Sequence, residues 1–299
     1  MSFSVLINPG GGSAGGDAIA RVKAALARHG LDGTIEQVPG PELADRAAAL
    51  AKAGAEIVVA AGGDGTQSAV AGALAGTATA HGVLPLGTLN HLARDLGISL
   101  DLDEAVATLA AGHRRKIDLA SLNGRYFVNN SAIGLYPLMV VGREAMQRAN
   151  KSKIWGSSKK WVMLVSSIRT LVRFRHHRLR LLVNDSEVET LVTPLLFVGN
   201  NDYQLTLPAA GKRDKLDASR LCVVVMRKTG RLGLVAASLR LLAGRSRDDD
   251  MVHLDHVQRL KVSSHRSQLT VSSDGETLCL APPLDYRIHP QALTVIAPA

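Results

Sequence analysis

Apolar residues recur along the first 120 residues in short runs that alternate with amphipathic stretches. Three apolar runs bounded by glycines predict buried parallel strands, at residues 4–8, 56–63 and 82–87. Helical stretches separate or follow them, at residues 17–29, 42–53, 66–75 and 102–111. Asp17 and Asp103 lie near predicted helix starts, and Gly30, Gly54 and Gly112 lie near predicted helix ends. This alternation predicts a parallel sheet covered by helices.

The pattern becomes strand-like after about residue 120. Asn123-Gly124, between two alternating runs, predicts a hairpin turn. Only residues 143–175 and 231–242 look helical in this part. We therefore predict an α/β + β fold, in which residues 1–120 form a three-layer α/β domain with a parallel sheet. Residues 121–299 are predicted to form a mostly antiparallel β-sandwich domain, whose extreme C-terminus could pack back on the first domain.

Composition narrows the class of protein. Hydrophobic residues make up 46% and charged residues 20% of the 299 residues, which is typical of a globular chain. Cys222 and Cys279 are too few for a disulfide framework or a zinc cluster, which favours a reducing cytosol. No signal-peptide pattern and no uninterrupted apolar stretch of membrane-spanning length is present. We expect a cytoplasmic protein without a membrane-spanning helix.

The positive charge is concentrated in one segment. The net charge is +9, and residues 143–180 alone contain eleven Lys and Arg against one acid, giving 11 − 1 = +10. Apolar residues, including Trp155 and Trp161, are interleaved with these cations, as in basic amphipathic helices that bind membrane surfaces. Aromatic residues are only 3% of the chain, which argues against nucleic acid as a partner. We expect peripheral association with an anionic membrane.

Three glycine-bearing loops follow the three predicted strands, at residues 8–16, 62–69 and 85–97. Ligands bind at the carboxyl ends of strands in open α/β sheets, so these loops can converge on one crevice. Glycine allows backbone N–H groups to approach a phosphate closely, and a following helix N-terminus favours an anion. Three such loops in succession predict a site for a polyphosphate.

A dinucleotide site explains only part of this pattern. Gly10, Gly12 and Gly15 fit the G-x-G-x-x-G spacing, and Glu36 lies where a ribose-binding acid would be. That interpretation leaves residues 62–66 and 87–90 without a role. A Walker A loop requires Lys and Ser or Thr after the last glycine, whereas Gly15 is followed by Gly16 and then Asp17. The protein-kinase motifs are also absent.

Four motifs resemble those of lipid kinases of the diacylglycerol kinase catalytic-domain family. They are "NPGGG" at 8–12, "GGDGT" at 62–66, "LPLGTLNHLARDLGI" at 84–98 and "SSDGETL" at 272–278. They occur in the family's order and span most of the chain. NAD kinases share the second motif but not the third. The resemblance implies the predicted α/β and β-sandwich layout, with a nucleotide cleft between the two parts.

The resemblance also implies site residues. ATP phosphates and ribose would be held by Asn8, Gly10, Gly11, Gly12, Gly62, Gly63, Asp64, Gly65, Thr66, Gly87, Thr88 and Asn90. Asp64 would lie near Mg²⁺, because phosphoryl transfer requires charge neutralisation. Asp274 and Glu276 would take the proton of the acceptor hydroxyl or order Mg²⁺. Being two apart, they are expected on one face of an extended segment, although Asp274-Gly275-Glu276 taken alone is an ordinary hairpin turn. Which of the two acts as base is left open.

Two motifs depart from the family pattern. Asn90 is followed by His91 and Leu92 where Asp and Phe are usual, and Asp95 is an open candidate for the missing acid. Residues 212–221 stand where bacterial members often bind a structural metal. Asp217 remains there as a metal-ligand candidate, although Ala218 and Ser219 replace the usual second Asp and Gly.

These observations predict an ATP-dependent lipid kinase that phosphorylates a hydroxyl of diacylglycerol or a related membrane lipid. Two alternatives stay open: an NAD kinase-like enzyme, and a catalytically weak lipid- or membrane-binding homologue, which the altered third motif favours. Asn129, Asn130 and Gly134 could line the acceptor pocket or face outward from a strand. A homodimer is an expectation from the resemblance alone.

Overall fold

The structure is a computed structural model that describes most of the chain. The described residues are 3–9, 17–134, 176–204, 212–213, 215–227, 230, 233, 236–237, 240 and 250–299. The predicted helix over 143–175, most of the one over 231–242, and Gly10, Gly11 and Gly12 lie outside them. Across the described ranges, no helix has both the length and the apolar character that crossing a bilayer requires.

The first part of the chain builds a parallel sheet. Its strands are β1 (Phe3–Ile7), β2 (Thr34–Gln37), β3 (Ile57–Gly62) and β4 (Ala80–Pro85), in the order β2-β1-β3-β4. The helices are α1 (Ala18–Arg28), α2 (Leu43–Lys52), α3 (Asp64–Leu74), α4 (His91–Asp95) and α5 (Leu102–Ala111). A 3₁₀ turn, Gly40–Glu42, precedes α2. All six residues of β3 and of β4 are buried, as expected for a sheet covered on both faces.

Local sequence explains where α5 begins and ends. Asp101 precedes the helix, and its side chain accepts hydrogen bonds from the backbone N–H groups of Asp103 and Glu104. Gly112 ends the helix in the left-handed region at φ 68°, where glycine is favoured. Asp103 therefore serves as a first-turn acid rather than as the cap.

Most of the rest of the described chain forms an antiparallel β-sandwich. One layer extends the first sheet with β5 (Arg114–Leu122), β6 (Arg125–Phe127), β8 (His177–Val183), β9 (Ser186–Thr193), β13 (Arg259–Ser264) and β16 (Leu284–Ile296). The second sheet has the order β12-β11-β10-β7-β14-β15. Its strands are β7 (Asn130–Gly134), β10 (Leu195–Asn200), β11 (Leu221–Met226), β12 (Met251–Val257), β14 (Leu269–Ser273) and β15 (Glu276–Leu280).

Apolar side chains from both layers fill the space between them, including Leu181, Val262 and Tyr286 from the first sheet and Ile133 and Val271 from the second. Asn123 and Gly124 have φ angles of 49° and 82° and form the predicted turn between β5 and β6. The predicted α/β + β fold class is confirmed.

Strand β16 joins the two parts of the chain into one sheet. It pairs in parallel with β4 through Val295 and His81, and antiparallel with β5 and β13. A register shift between His289 and Leu293 divides the strand into two stretches. The two predicted parts thus share one sheet, whereas the sequence pattern predicts a separate sheet for each part. The division into domains at residue 120 stays a prediction.

We expect the buried His81 to make stability fall at acid pH. Burial lowers the pKa of His81 from its ordinary value to about 4. The Nε2 atom of the ring lies 3.1 Å from Gln67 Oε1. Between pH 6.5 and 4 the unfolded state therefore binds a proton that the native state does not. The free energy of unfolding consequently decreases as the pH falls through this window. The loss amounts to about 3 kcal/mol. Urea unfolding at pH 7 and pH 4.5 measures it.

The matched variant for this measurement is His81→Gln, which cannot titrate. Its free energy of unfolding should change less between the two pH values than that of the unsubstituted protein. An identical pH dependence in both would show that His81 does not carry the effect.

Candidate active site

The second and third glycine loops meet at the carboxyl ends of β3 and β4. The two strands run side by side with Gly62 opposite Pro85, so the residues that follow them are neighbours. A Cβ atom built on Gly87 would lie 2.3 Å from the Cα of Gly63, and one built on Gly63 would lie 3.3 Å from the Cα of Gly87. The two backbones pack directly against each other. The predicted convergence of these two loops is therefore present in the fold.

Gly87→Ala is expected to destabilise the protein by about 3 kcal/mol, the upper end of what overpacking costs. The new methyl group would meet a backbone atom of Gly63, which cannot move aside as a side chain can, and would crowd Asn90 Oδ1 at 2.7 Å. Urea unfolding measures the change.

Gly65→Ala is the matched control, because a Cβ there meets nothing within 4 Å and lies in the first turn of α3. Its stability should stay level or rise, since alanine favours the helix. Equal stability of the two variants would contradict the packing argument.

Asp64 connects the second loop to the third. It is the first residue of α3, and its Oδ1 accepts a hydrogen bond of 2.6 Å from the backbone N–H of His91, where α4 begins. Burial raises the pKa of Asp64, while backbone hydrogen bonds from residues 90–92 and the charge of Arg213 act in the opposite direction. The carboxylate thus holds the two loops together at the point where a nucleotide phosphate is predicted.

Asn90 gives the third loop its shape. Its backbone adopts the left-handed conformation at φ 51°, which asparagine tolerates better than most residues. Its side chain accepts from Gly87 N–H at 2.9 Å and donates to Gly87 C=O at 2.8 Å. Both polar atoms of the Asn90 side chain therefore form hydrogen bonds within the loop. The side chain of Thr66 packs over Gly62, whereas Gly65 and Thr88 are exposed.

Asp274 is brought to α3 from the second sheet. Its carboxylate accepts backbone hydrogen bonds from Val128, Asn129 and Asn130 at 2.7, 2.8 and 3.1 Å. The hydroxyl of Ser68, in the second turn of α3, donates to the same carboxylate. Burial raises the pKa of Asp274, and these hydrogen bonds oppose the rise. One acid therefore links the glycine-loop part of the chain to the β-sandwich.

Glu276 does not share the surroundings of Asp274. The prediction that both acids lie on one face of an extended segment was wrong, because Asp274 and Gly275 form the turn between β14 and β15 with φ angles of 45° and 86°. Glu276 is the first residue of β15, with a side chain 60% exposed and paired with Arg125 at 2.5 Å. One acid is saturated with protein donors, and the other is open to solvent.

Arg213 lies at the junction of the two parts and was missed by the sequence analysis. Its guanidinium is fully buried and forms an ion pair of 2.8 Å with Asp95, the last residue of α4. It also donates to the C=O of Val128 at 2.6 Å and to Asn129 Oδ1 at 3.2 Å. The stretch that binds Asp274 is thereby tied to the helix that Asp64 caps. A single arginine in a basic chain carries no pattern that marks it as buried.

Of the remaining candidates, Asn8 lies at the same sheet edge as the second glycine loop, because Ile7 of β1 is in register with Ala61 of β3. Asp217 is exposed and lies 3.8 Å from Arg115. Within the described ranges, no group of three or more His, Cys, Asp or Glu could hold a metal ion. Asn8 directly follows β1, and Glu36 forms an ion pair with Arg46 at 2.6 Å. The metal-ligand roles of Asp64 and Asp217 stay predictions.

A parallel α/β part in which glycine loops meet, joined to a sandwich that supplies a half-buried acid, is the layout that the four motifs predict for a kinase. Residues 2–122 match the diacylglycerol kinase catalytic domain. Residues 139–297 match the YegS C-terminal NAD kinase beta sandwich-like domain. The chain belongs to the diacylglycerol kinase catalytic-domain family. A kinase family implies the use of ATP.

Two diacylglycerol kinases are similar to a short stretch of the chain, which supports its membership of this family. Diacylglycerol kinases of Staphylococcus saprophyticus and Staphylococcus aureus are 35% and 38% identical over 81 residues, 26% of this chain. The match spans about a quarter of each relative, 27% and 26% respectively.

Two solved structures share the fold. A candidate diacylglycerol kinase from Bacillus anthracis aligns with a TM-score of 0.76 at 20% identity, covering 99% of this chain and 95% of that one. An NAD kinase from Archaeoglobus fulgidus, solved with ATP, aligns with a TM-score of 0.54 at 13% identity, covering 99% and 93%. At these identities the likeness concerns the fold alone.

Proposed function

We propose that the protein is an ATP-dependent lipid kinase that transfers the γ-phosphoryl group to a hydroxyl of diacylglycerol or a related membrane lipid. The observation that carries this proposal is the link between Ser68 of α3 and Asp274 of the sandwich. It brings the turn that leads into Glu276 beside the helix that begins at the second glycine loop. A phosphate donor and an alcohol acceptor can therefore meet at this junction.

The nucleotide would lie over the meeting point of the glycine loops. Gly63 and Gly87 allow the two loop backbones to pack directly against each other, and the N-terminus of α3 favours phosphate. Gly65 and Thr88 are exposed there and available for contact. Asn8, with Gly10, Gly11 and Gly12 after it, would complete the site from the neighbouring strand β1.

In the transfer step, the lipid hydroxyl oxygen bonds to the γ-phosphorus as the bond from that phosphorus to the bridging β–γ oxygen breaks, so ADP leaves. The hydroxyl proton passes to Glu276. A base needs a free lone pair within reach of the proton, and the exposed Glu276 carboxylate offers one. Asp274, whose oxygens already accept four donors, acts as a positioning residue.

Magnesium would arrive with the nucleotide. Mg²⁺ in phosphoryl-transfer sites is commonly held by one or two carboxylates together with substrate phosphates, which suits a site without a cluster of protein ligands. Asp64 fits this role, because its carboxylate lies half-buried at the strand end where the phosphates are proposed. When bound, the ion would neutralise charge on the phosphates.

The lipid requires contact with a membrane, and we assign this to the basic segment 143–180 at the cytoplasmic side of an anionic bilayer. In the described end of that segment, Arg178 is exposed on β8. It pairs in register with Val192, which is 47% exposed. A cation beside an exposed apolar side chain suits a lipid surface. Binding to anionic vesicles should weaken with added salt.

The deciding experiment supplies radiolabelled ATP and Mg²⁺ together with vesicles that contain diacylglycerol and an anionic phospholipid, or with NAD. Label in the lipid fraction supports the proposal. Label on NAD would instead make the protein an NAD kinase. Label on neither acceptor would favour a lipid-binding homologue without activity, which His91 in place of the usual acid would explain.

A further inference from the structure

Arg213 is a buried cation to which the proposed transfer step gives no role. Its side chain has no exposed surface and forms hydrogen bonds with two separate parts of the fold. On one side it pairs with Asp95, the last residue of α4, at 2.8 Å. On the other side it donates to the C=O of Val128 at 2.6 Å and to Asn129 Oδ1 at 3.2 Å. Burying a charge costs free energy, so the retention of this one needs an explanation.

Each of these two parts holds one of the acids that have a role in the proposed function. Helix α4 begins at His91, whose backbone N–H donates to Asp64 Oδ1 at 2.6 Å. The stretch 128–130 donates its backbone N–H groups to the Asp274 carboxylate at 2.7, 2.8 and 3.1 Å. Arg213 thus reaches each acid through one intervening segment. A single rigid, planar guanidinium sets the distance between the two segments that orient the acids.

The charge of Arg213 acts on the same acids. Burial alone would lower the pKa of Arg213, but Tyr203 and two carboxylates raise it above its ordinary value, so the guanidinium stays protonated. The two carboxylates are those of Asp95 and Asp274. The charge of Arg213 also opposes the rise that burial causes in the pKa of Asp64. The cation therefore lies within electrostatic reach of both acids, in addition to its hydrogen-bonded links to them.

Resting on the proposed function, we infer that Arg213 is a positioning residue, which holds Asp64 and the turn that carries Asp274 in the relative placement that phosphoryl transfer requires. This reaction depends on alignment, and a displacement of about 1 Å can lower its rate about 100-fold. Arginine can span both segments because its donors form a fixed fork, whereas a lysine ammonium is a single point charge. Loss of the fork should disturb the transition state rather than the binding of ATP, so kcat should fall while KM for ATP stays.

The test measures kcat and KM for ATP with vesicles of diacylglycerol and an anionic phospholipid, per mole of folded protein determined by circular dichroism. Arg213→Lys keeps a cation beside Asp95 but should lower kcat about 10- to 100-fold. The KM for ATP should change by less than about twofold. Arg213→Met/Asp95→Leu leaves no buried charge unpaired, so it should be more stable than Arg213→Met without regaining kcat.

Arg240→Met is the matched control for lost stability. Arg240 pairs at 2.5 Å with Asp250, which is 1% exposed. This pair lies beyond Met226 at one end of β11, whereas Arg213 contacts the C=O of Asn200 opposite the other end. Removal of Arg240 should therefore cost stability, as in Arg213→Met, but leave kcat unchanged.

An undiminished kcat in Arg213→Lys, or a kcat that returns in the double variant together with its stability, would overturn the inference. A raised KM for ATP with unchanged kcat would do the same. A kcat in Arg240→Met as low as in Arg213→Met would also overturn it, because lost stability would then explain both. Absence of label from the lipid with the unsubstituted protein would overturn the proposed function itself and the inference with it.

Discussion

Replacing Glu276 by glutamine is expected to lower kcat for lipid phosphorylation by about 100- to 10,000-fold, the usual contribution of a general base. Glutamine keeps the size of the side chain but cannot take a proton from the acceptor hydroxyl. The thermal midpoint of the variant should not change, because Glu276 is 60% exposed and Arg125, with which it forms an ion pair, is 59% exposed. Steady-state kinetics and thermal unfolding measure the two quantities.

Asp274→Asn provides the contrasting variant. An amide NH₂ would replace one of two oxygens that accept from Ser68, Val128, Asn129 and Asn130. Leaving buried donors unpaired costs about 1–3 kcal/mol, so this variant should lose stability as well as activity. Near-normal turnover in Glu276→Gln would remove Glu276 from the proposed role. A stability loss in Glu276→Gln equal to that in Asp274→Asn would show that the two acids do not differ as their burial indicates.

Arg213→Met is expected to lower the free energy of unfolding by about 3–5 kcal/mol, the cost of removing one partner from a buried ion pair. The Asp95 carboxylate, 8% exposed, would remain without its cation. The C=O groups of Val128 and Asn200 would lose a donor at the same time. Urea unfolding followed by circular dichroism measures the change.

Arg28→Met is the matched control. Arg28 also pairs with a carboxylate at 2.6 Å, that of Asp103, but the two side chains are 57% and 47% exposed. Exposed pairs contribute at most about 1 kcal/mol, so this variant should remain close to the unsubstituted protein. The double variant Arg213→Met/Asp95→Leu should regain part of the loss, since no buried charge is left unpaired. An Arg213→Met variant as stable as Arg28→Met would contradict the assignment.

The sequence predicts the elements whose burial pattern is simple. The apolar run of β3 is buried at every position, and glycines after parallel strands predict that loops meet at one edge. Strand β2 is different, because its four residues include Glu36 and Gln37 and none is fully buried. Such a short polar strand at a sheet edge has no apolar run by which to recognise it.

The site is predicted in its residue types but not in its geometry. Asp-Gly is a known signal for a two-residue hairpin turn, so the sequence itself indicates the turn at Asp274 and Gly275 that separates the surroundings of Asp274 from those of Glu276. The contact of Gly63 with Gly87, and the burial of Arg213 beside Asp95, depend on chain segments far apart in sequence. No local pattern encodes such contacts.

The position of β16 has a consequence for synthesis of the protein on the ribosome. This strand lies between β4 and β13 in the first sheet, yet it follows every other described strand in chain order. Until it emerges, the nascent chain presents strand edges on β4, β5 and β13 without their partner. Unpaired edges of this kind promote association between chains. Completion of the first sheet must therefore await late translation, and protection of those edges by a chaperone would favour a high yield of folded protein.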